Sequence, residues 1–145
     1  MRKNKVYLAS TFNLEKRENM QSAIEILRNA GLEVYAPVEH QIHNAWDYPN
    51  TEWGLMVFEN DIAAIQNCDI VVVLSYGRTE DTSGVTWEAG FAFGIGKKVI
   101  IVEMTDNIMS LMVANGRYAT VRGLDELAGY NWETMFPLRT ETEQK

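Results

Sequence analysis

A single carboxylate set among small, aromatic and aliphatic residues is the most chemically suggestive feature of this 145-residue sequence. In Gly84-Val-Thr-Trp-Glu88-Ala-Gly-Phe-Ala-Phe-Gly-Ile-Gly96, Glu88 is the one charged side chain. Desolvating a carboxylate is expensive unless a neighbour holds it or the chemistry uses it. The plain alternative is a helix whose single Glu faces water. Its placement favours use: the pattern puts Glu88 in the first turns of a helix that begins where a parallel strand ends. Open α/β sheets bind their ligands at that edge. Other polar residues should gather there too, namely Tyr7 and Ser10 from the first strand, Asp81 after the third, and Ser110 with Met112 after the fourth. Asp61 sits on the preceding helix, in Phe58-Glu-Asn-Asp61-Ile-Ala-Ala-Ile65, flanked by apolar positions expected to face the core. Each has an ordinary structural reading as well: Tyr7 as a strand aromatic, Asp61 as a solvated helix residue, Asp81 as a turn residue, Met112 as core.

The elements that must position these residues are legible in outline. Lys5–Ala9 reads as a buried strand, followed by caps at Ser10, Thr11 and Asn13 and a helix from about Leu14 to Ala30, closed by Gly31. Leu32–Ala36 is a second strand, and Val38–Asn50 a long polar loop containing His40, His43, Trp46 and Tyr48. A helix from Thr51 to Asn67 leads to Asp69–Leu74, an unbroken apolar run of the kind expected for a central parallel strand. After the Glu88 helix come a strand at Val99–Val102, a short helix around Ile108–Val113, a strand at Tyr118–Val121 and a helix at Leu124–Ala128. Strands alternating with helices predict an α/β fold, a flavodoxin-like doubly wound five-stranded parallel sheet with helices on both faces. Residues 1–137 read as one domain and 138–145 as a charged tail.

Composition excludes several functions. A formal net charge of −7 disfavours a nucleic acid polymer as partner. Cys68 is the only cysteine, so no disulfide framework or thiolate metal cluster is expected, and a reducing cytoplasm is the natural compartment. No apolar segment reaches the roughly 20 residues that span a bilayer, so no membrane role is expected. His40 and His43 lack a third ligand at plausible spacing, and no metal is expected. There is no Gly-x-Ser-x-Gly nucleophile elbow, and Gly94-x-Gly96 closes a helix where a dinucleotide loop would open one. The first strand-to-helix turn, Ala9-Ser-Thr-Phe-Asn13, has no glycine to cradle a phosphate, which favours an uncharged ligand over a nucleotide.

Taken in order, four motifs give the chain a family resemblance: Val6-Tyr-Leu-Ala-Ser10 with Phe12; Phe58-Glu-Asn-Asp61 with Cys68-Asp69; Gly84-Val-Thr-Trp-Glu88-Ala-Gly90 with Gly96-Lys-Lys-Val99; and Leu111-Met-Val113. The sequence resembles the nucleoside 2-deoxyribosyltransferases from the first strand to about Trp132. The resemblance implies that Glu88 is the nucleophile that attacks the anomeric carbon of a 2'-deoxynucleoside and forms a deoxyribosyl ester, from which a second base takes the sugar with retention. It implies that Tyr7 orients that carboxylate and that Asp61 lies near sugar and base. It places an acid in the loop before the nucleophile to contact the departing base, here Asp81. Ser10, Phe12, Gly84, Trp87, Ser110 and Met112 are then substrate-lining positions, with Met112 reached across a subunit boundary. No cofactor is implied. The implied partners are 2'-deoxynucleosides and free nucleobases, and the implied assembly is a dimer-built hexamer with shared sites. The chain departs from the family in two places. The acid usually stands six residues before the nucleophile, which is Thr82 here, one residue after Asp81. The position before Leu111, commonly an Asn that binds the 5'-hydroxyl end of the sugar, is Ser110. Alternative readings are a deoxynucleoside 5'-monophosphate N-glycosidase and a catalytically silent nucleotide sensor.

Overall fold

A computed structural model describes residues 4–11, 13–40, 49–77 and 82–137. Its centre is a sheet of five strands, β1 (Lys5–Ala9), β2 (Glu33–Tyr35), β3 (Ile70–Ser75), β4 (Lys98–Glu103) and β5 (Ala119–Arg122). The strands run in the order β2-β1-β3-β4-β5, every neighbouring pair parallel. This is the flavodoxin-like order expected from the sequence. Among the described residues five α-helices surround it: α1 (Arg17–Asn29), α2 (Asn50–Asn67), α3 (Ser83–Gly94), α4 (Leu111–Asn115) and α5 (Gly123–Gly129).

Strand alternation divides the apolar side chains between two faces. Val6, Leu8, Val72, Leu74, Ile100 and Val102 pack with Met20, Ile24 and Leu27 of α1 and Leu127 of α5. Tyr7, Ala9, Val71, Val73, Val99 and Ile101 face α2 and α3, meeting Ile65, Val85, Ala89 and Ala92. Because both faces are covered, β3 is buried at every position, which explains its unbroken apolar run. The chain steps from β1 outward to β2, then crosses back to β3 on the other side of β1. The reversal opens a crevice at the carboxyl ends of β1 and β3.

Several boundaries differ from the sequence reading for local reasons. Asn13 Oδ1 accepts a hydrogen bond from Lys16 N at 2.9 Å, and the resulting turn delays regular helix until Arg17 and leaves Leu14 exposed. The expected loop from Val38 begins instead with a 3-10 turn, Pro37–His40, because Pro37 is preset for helical φ. His43, Trp46 and Tyr48 lie outside the described residues. The last short helix before β5 starts at Leu111, later than expected, since Ser110 caps it with Oγ accepting from Val113 N at 3.4 Å. The apolar positions of α2 were expected to face the core, yet Ile65 alone is fully buried among them and Phe58 is 51% exposed. Among the described residues no helix is long and apolar enough to cross a membrane.

Candidate active site

Three elements deliver a carboxylate–phenol–carboxylate cluster to the crevice. Tyr7 lies mid-strand on β1 on the face toward α2 and α3, and it is completely buried. Helix α3 begins eight residues past the end of β3, so Glu88, in its second turn, comes down over Tyr7. The Tyr7 hydroxyl donates a hydrogen bond to Glu88 Oε2. Asp61 of α2 is near enough that its charge acts on both Tyr7 and Glu88. One phenol and two carboxylates from different helices therefore form a single electrostatic cluster.

Burial sets the charge state of this cluster. Desolvation, helped by the nearby charge of Asp61 and opposed by the Tyr7 hydrogen bond, pushes the Glu88 carboxyl up to about 7. Desolvation also raises Asp61, against the hydrogen bond from Tyr7 and the charge of His40, which draw it down. The Tyr7 phenol is driven far above its ordinary range by burial and by the Glu88 charge, so it stays protonated as a donor. Such a cluster presents a carboxylate that is nucleophilic when ionised, held by a fixed hydroxyl, with a second carboxyl beside it to handle protons.

Glu88 and Asp61 open onto a cavity of about 490 Å³ between α2 and α3, lined also by Gly54, Val57, Phe58, Gly84 and Trp87. Among the described residues lining it there is no Lys or Arg. Two aromatic rings line it, Trp87 meeting Phe58 edge-on at 5.6 Å between centroids, and Phe91, outside the lining, stacks on Trp87 at 5.4 Å.

The structure brings Tyr7, Asp61, Glu88, Gly84 and Trp87 together but not every candidate. Ser10 Oγ donates to the neighbouring Thr11 carbonyl at 3.3 Å and does not line this cavity. Ser110 and Met112 line a separate groove of about 700 Å³ between α3 and α4, in which Trp87 also takes part. Met112 is 87% exposed, so it is not core. Its exposure follows from its place on the outer side of a five-residue helix. Phe12 and Asp81 lie outside the described residues. Thr82 stands at the N-cap of α3, its carbonyl accepting from Thr86 N at 2.9 Å.

Two residues beside the cluster escaped the sequence reading as site residues. Tyr35 is the register partner of Tyr7 across β1 and β2, and their rings stack at 5.8 Å with planes 13° apart. His40, weighed in the sequence only as a metal ligand, stacks on the far side of Tyr35 at 4.2 Å and 2°. A period-two reading of the two strands, aligned in parallel, would have placed Tyr35 beside Tyr7. Nothing in the sequence signals His40.

Comparison with known proteins bears on the same chemistry. A 2-deoxyribosyltransferase from Bacillus psychrosaccharolyticus is similar in structure, with a TM-score of 0.85 and 30% identity over 94% of this chain and 98% of that one. A curated nucleoside deoxyribosyltransferase from Limosilactobacillus fermentum is 26% identical over 122 residues, 77% of this chain and 71% of the relative. A CMP N-glycosidase of Clostridium botulinum shares the fold, with a TM-score of 0.61 and 17% identity over 86% of this chain and 96% of that one. The sequence profile of the nucleoside 2-deoxyribosyltransferases matches residues 6–139. With a buried phenol holding a carboxylate at the strand ends, and with that profile spanning nearly the whole chain, this protein belongs to the nucleoside 2-deoxyribosyltransferase family.

Proposed function

We propose that the protein transfers the 2-deoxyribosyl group between purine or pyrimidine bases by a retaining double displacement through Glu88. The observation that carries this reading is the contact of Tyr7 with Glu88 beside Asp61, at the mouth of an apolar cavity. In the first step a Glu88 carboxylate oxygen attacks C1' of a 2'-deoxynucleoside. The C1'–N bond breaks, its electron pair leaves with the base, and a carboxyl group protonates that base. Asp61 supports this step from within the cluster, and Asp81 is the family-register acid for it. In the second step a ring nitrogen of the incoming base attacks C1' of the ester. The carboxylate of Glu88 is released and the proton of the incoming base is lost. Both displacements invert, so configuration is retained.

The 2-deoxy sugar lacks an electron-withdrawing hydroxyl and reaches an oxocarbenium-like state readily, so one held carboxylate suffices without a cofactor. The aromatic pair of Trp87 and Phe58 beside Glu88, backed by Phe91, supports transfer over hydrolysis by shielding the ester from water. A cavity lining without cations among the described residues favours uncharged nucleosides over their monophosphates. Exposed Trp87, Phe93, Leu111 and Met112 support an assembly of copies covering the α3–α4 face, a dimer-built hexamer with shared sites. Nucleobase salvage in the cytoplasm is the role that suits this chemistry.

The test is chromatography of thymidine or deoxyinosine incubated with the protein, with and without adenine. Deoxyadenosine appearing only with adenine is the expected result. Free deoxyribose in both tubes would make water the true acceptor. With deoxynucleoside monophosphates, release of deoxyribose 5-phosphate would identify a hydrolase, and binding without turnover a sensor.

A further inference from the structure

We propose that Gly54 sets the size of base the site accepts: with no side chain there, the cavity beside Phe58 and Trp87 keeps the room that the second ring of a purine needs. This role belongs to the transfer reaction proposed above and rests on it. Glycine weakens a helix interior, because it gives up more backbone freedom on folding than any other residue. Gly54 nevertheless stands in the second turn of the 18-residue helix α2. The usual structural reasons for a glycine are absent. Its φ lies outside the left-handed region that holds Gly77 at +85°. A Cβ built on it meets nothing within 4 Å among the described residues, whereas one on Gly116 comes to 3.6 Å from Phe93. What Gly54 borders is the cavity of about 490 Å³ that holds Glu88 and Asp61.

The order of residues along the two helices assigns the ends of that cavity. Helix α2 finishes just before β3 begins and α3 starts beyond the end of β3, so the first turns of both lie at the carboxyl edge of the sheet. On α2 the lining residues Gly54, Val57, Phe58 and Asp61 follow helical spacing, which puts Gly54 about 10 Å nearer the mouth than Asp61. On α3, Gly84 precedes Glu88 by one turn, and a Cβ on it would also meet nothing within 4 Å among the described residues. The carboxylates therefore mark the inner end, where C1' of the sugar must sit. The outer end is built from Gly54, Val57, Phe58 and Trp87, with Ser83 its polar group. Phe58 and Trp87, both about half exposed, meet edge-on there at 5.6 Å. Flat apolar and aromatic surface suits a base, not the hydroxyls of the sugar. Side chains on a helix lean toward its amino end, so the Phe58 ring reaches back over the turn that Gly54 leaves bare. A base extending outward from C1' along this wall points its far edge at Gly54. A one-ring pyrimidine stops short of that turn, and a fused two-ring purine reaches it.

The test is calorimetric binding of deoxyadenosine and deoxyuridine in the Glu88→Gln background, which removes the proposed nucleophile. Three proteins are compared, the Gly54 parent, Gly54→Ala and Gly54→Val. Val holds its two methyls close to the helix in one χ1 rotamer, so they cannot swing out of the cavity. Gly54→Val should weaken deoxyadenosine about 10- to 100-fold, the penalty of forcing methyl groups into occupied space, and leave deoxyuridine within about threefold. Gly54→Ala should fall between parent and Val. Both variants should melt no lower than the parent, since Ala and Val are the better helix formers. Equal weakening of the two nucleosides, or none, would overturn the assignment, as would a parent that binds deoxyuridine alone. So would a melting temperature well below that of the parent, which would mean that protein, not substrate, fills the space at Gly54. Base exchange by the chain with Glu88 intact is measured alongside. The expected binding pattern without any exchange would sink the proposed transfer and leave Gly54 as the size-determining residue.

Discussion

Replacing Glu88 by Gln should stabilise the folded protein at alkaline pH while removing its activity. The Glu88 carboxyl, ordinarily at 4.5, is pushed up to about 7 in the fold, mainly by desolvation. The folded state therefore keeps a proton that the unfolded chain releases, and stability falls as pH rises through the window from 4.5 to about 7. At about 1.4 kcal/mol per pH unit, the full penalty above that window is about 3 kcal/mol, and partial solvent access to the carboxylate trims it to about 2 kcal/mol. Gln is close in shape, keeps an oxygen for the Tyr7 hydroxyl and carries no charge, so it escapes the penalty. Urea denaturation of both proteins at about pH 4 and about pH 8.5 should give nearly equal stabilities at the lower pH and a variant more stable by about 2 kcal/mol at the higher. In melting temperature the gain is roughly 3 °C per kcal/mol for a domain of this size. A difference between the proteins that is the same at both pH values would refute the claim that Glu88 is held strained in its charged form. Loss of base exchange in the same variant would show that this destabilised carboxylate is the one the chemistry uses.

Other substitutions probe the rest of the cluster. Tyr7→Phe removes the hydrogen bond that draws Glu88 down, so the rising limb of the rate–pH profile should move to higher pH. Its kcat should fall by about 10- to 100-fold, the value of a hydrogen bond to a charged group, and an unmoved limb would contradict the assignment. Asp61→Asn removes a like charge, so the limb should move to lower pH even as kcat/KM declines; a shift in the opposite direction would mean that the Asp61 charge does not reach Glu88. Gly77, just past β3, has φ +85°, and a Cβ there would run into Asn107, whose carbonyl oxygen would lie 3.0 Å away. Gly77→Ala should therefore cost about 2 to 4 kcal/mol in urea denaturation.

The sequence by itself carried the fold class, because periodicity and burial are local consequences of residue order. The unbroken apolar run of β3 marked a strand covered on both faces, and the spacing of Met20, Ile24 and Leu27 marked the face of α1. It also carried the isolation of Glu88, since one carboxylate in an apolar helix is visible without coordinates. Pairing was another matter. That Tyr7 holds Glu88, 81 residues away, depends on where α3 crosses β1, which the sheet order and helix packing decide. The same packing left Phe58 at the surface, because α2 rests on the sheet only near its carboxyl end, where Ile65 is buried. It also turned Ser110 into a helix cap and directed Met112 outward into a different groove from the one holding Glu88. His40 became meaningful only through the stack on Tyr35, which follows from a 3-10 turn folding back over the edge strand. Local patterns specify what each element is, whereas long-range packing, whose loop-closure entropy no single segment encodes, decides which side chains share a site.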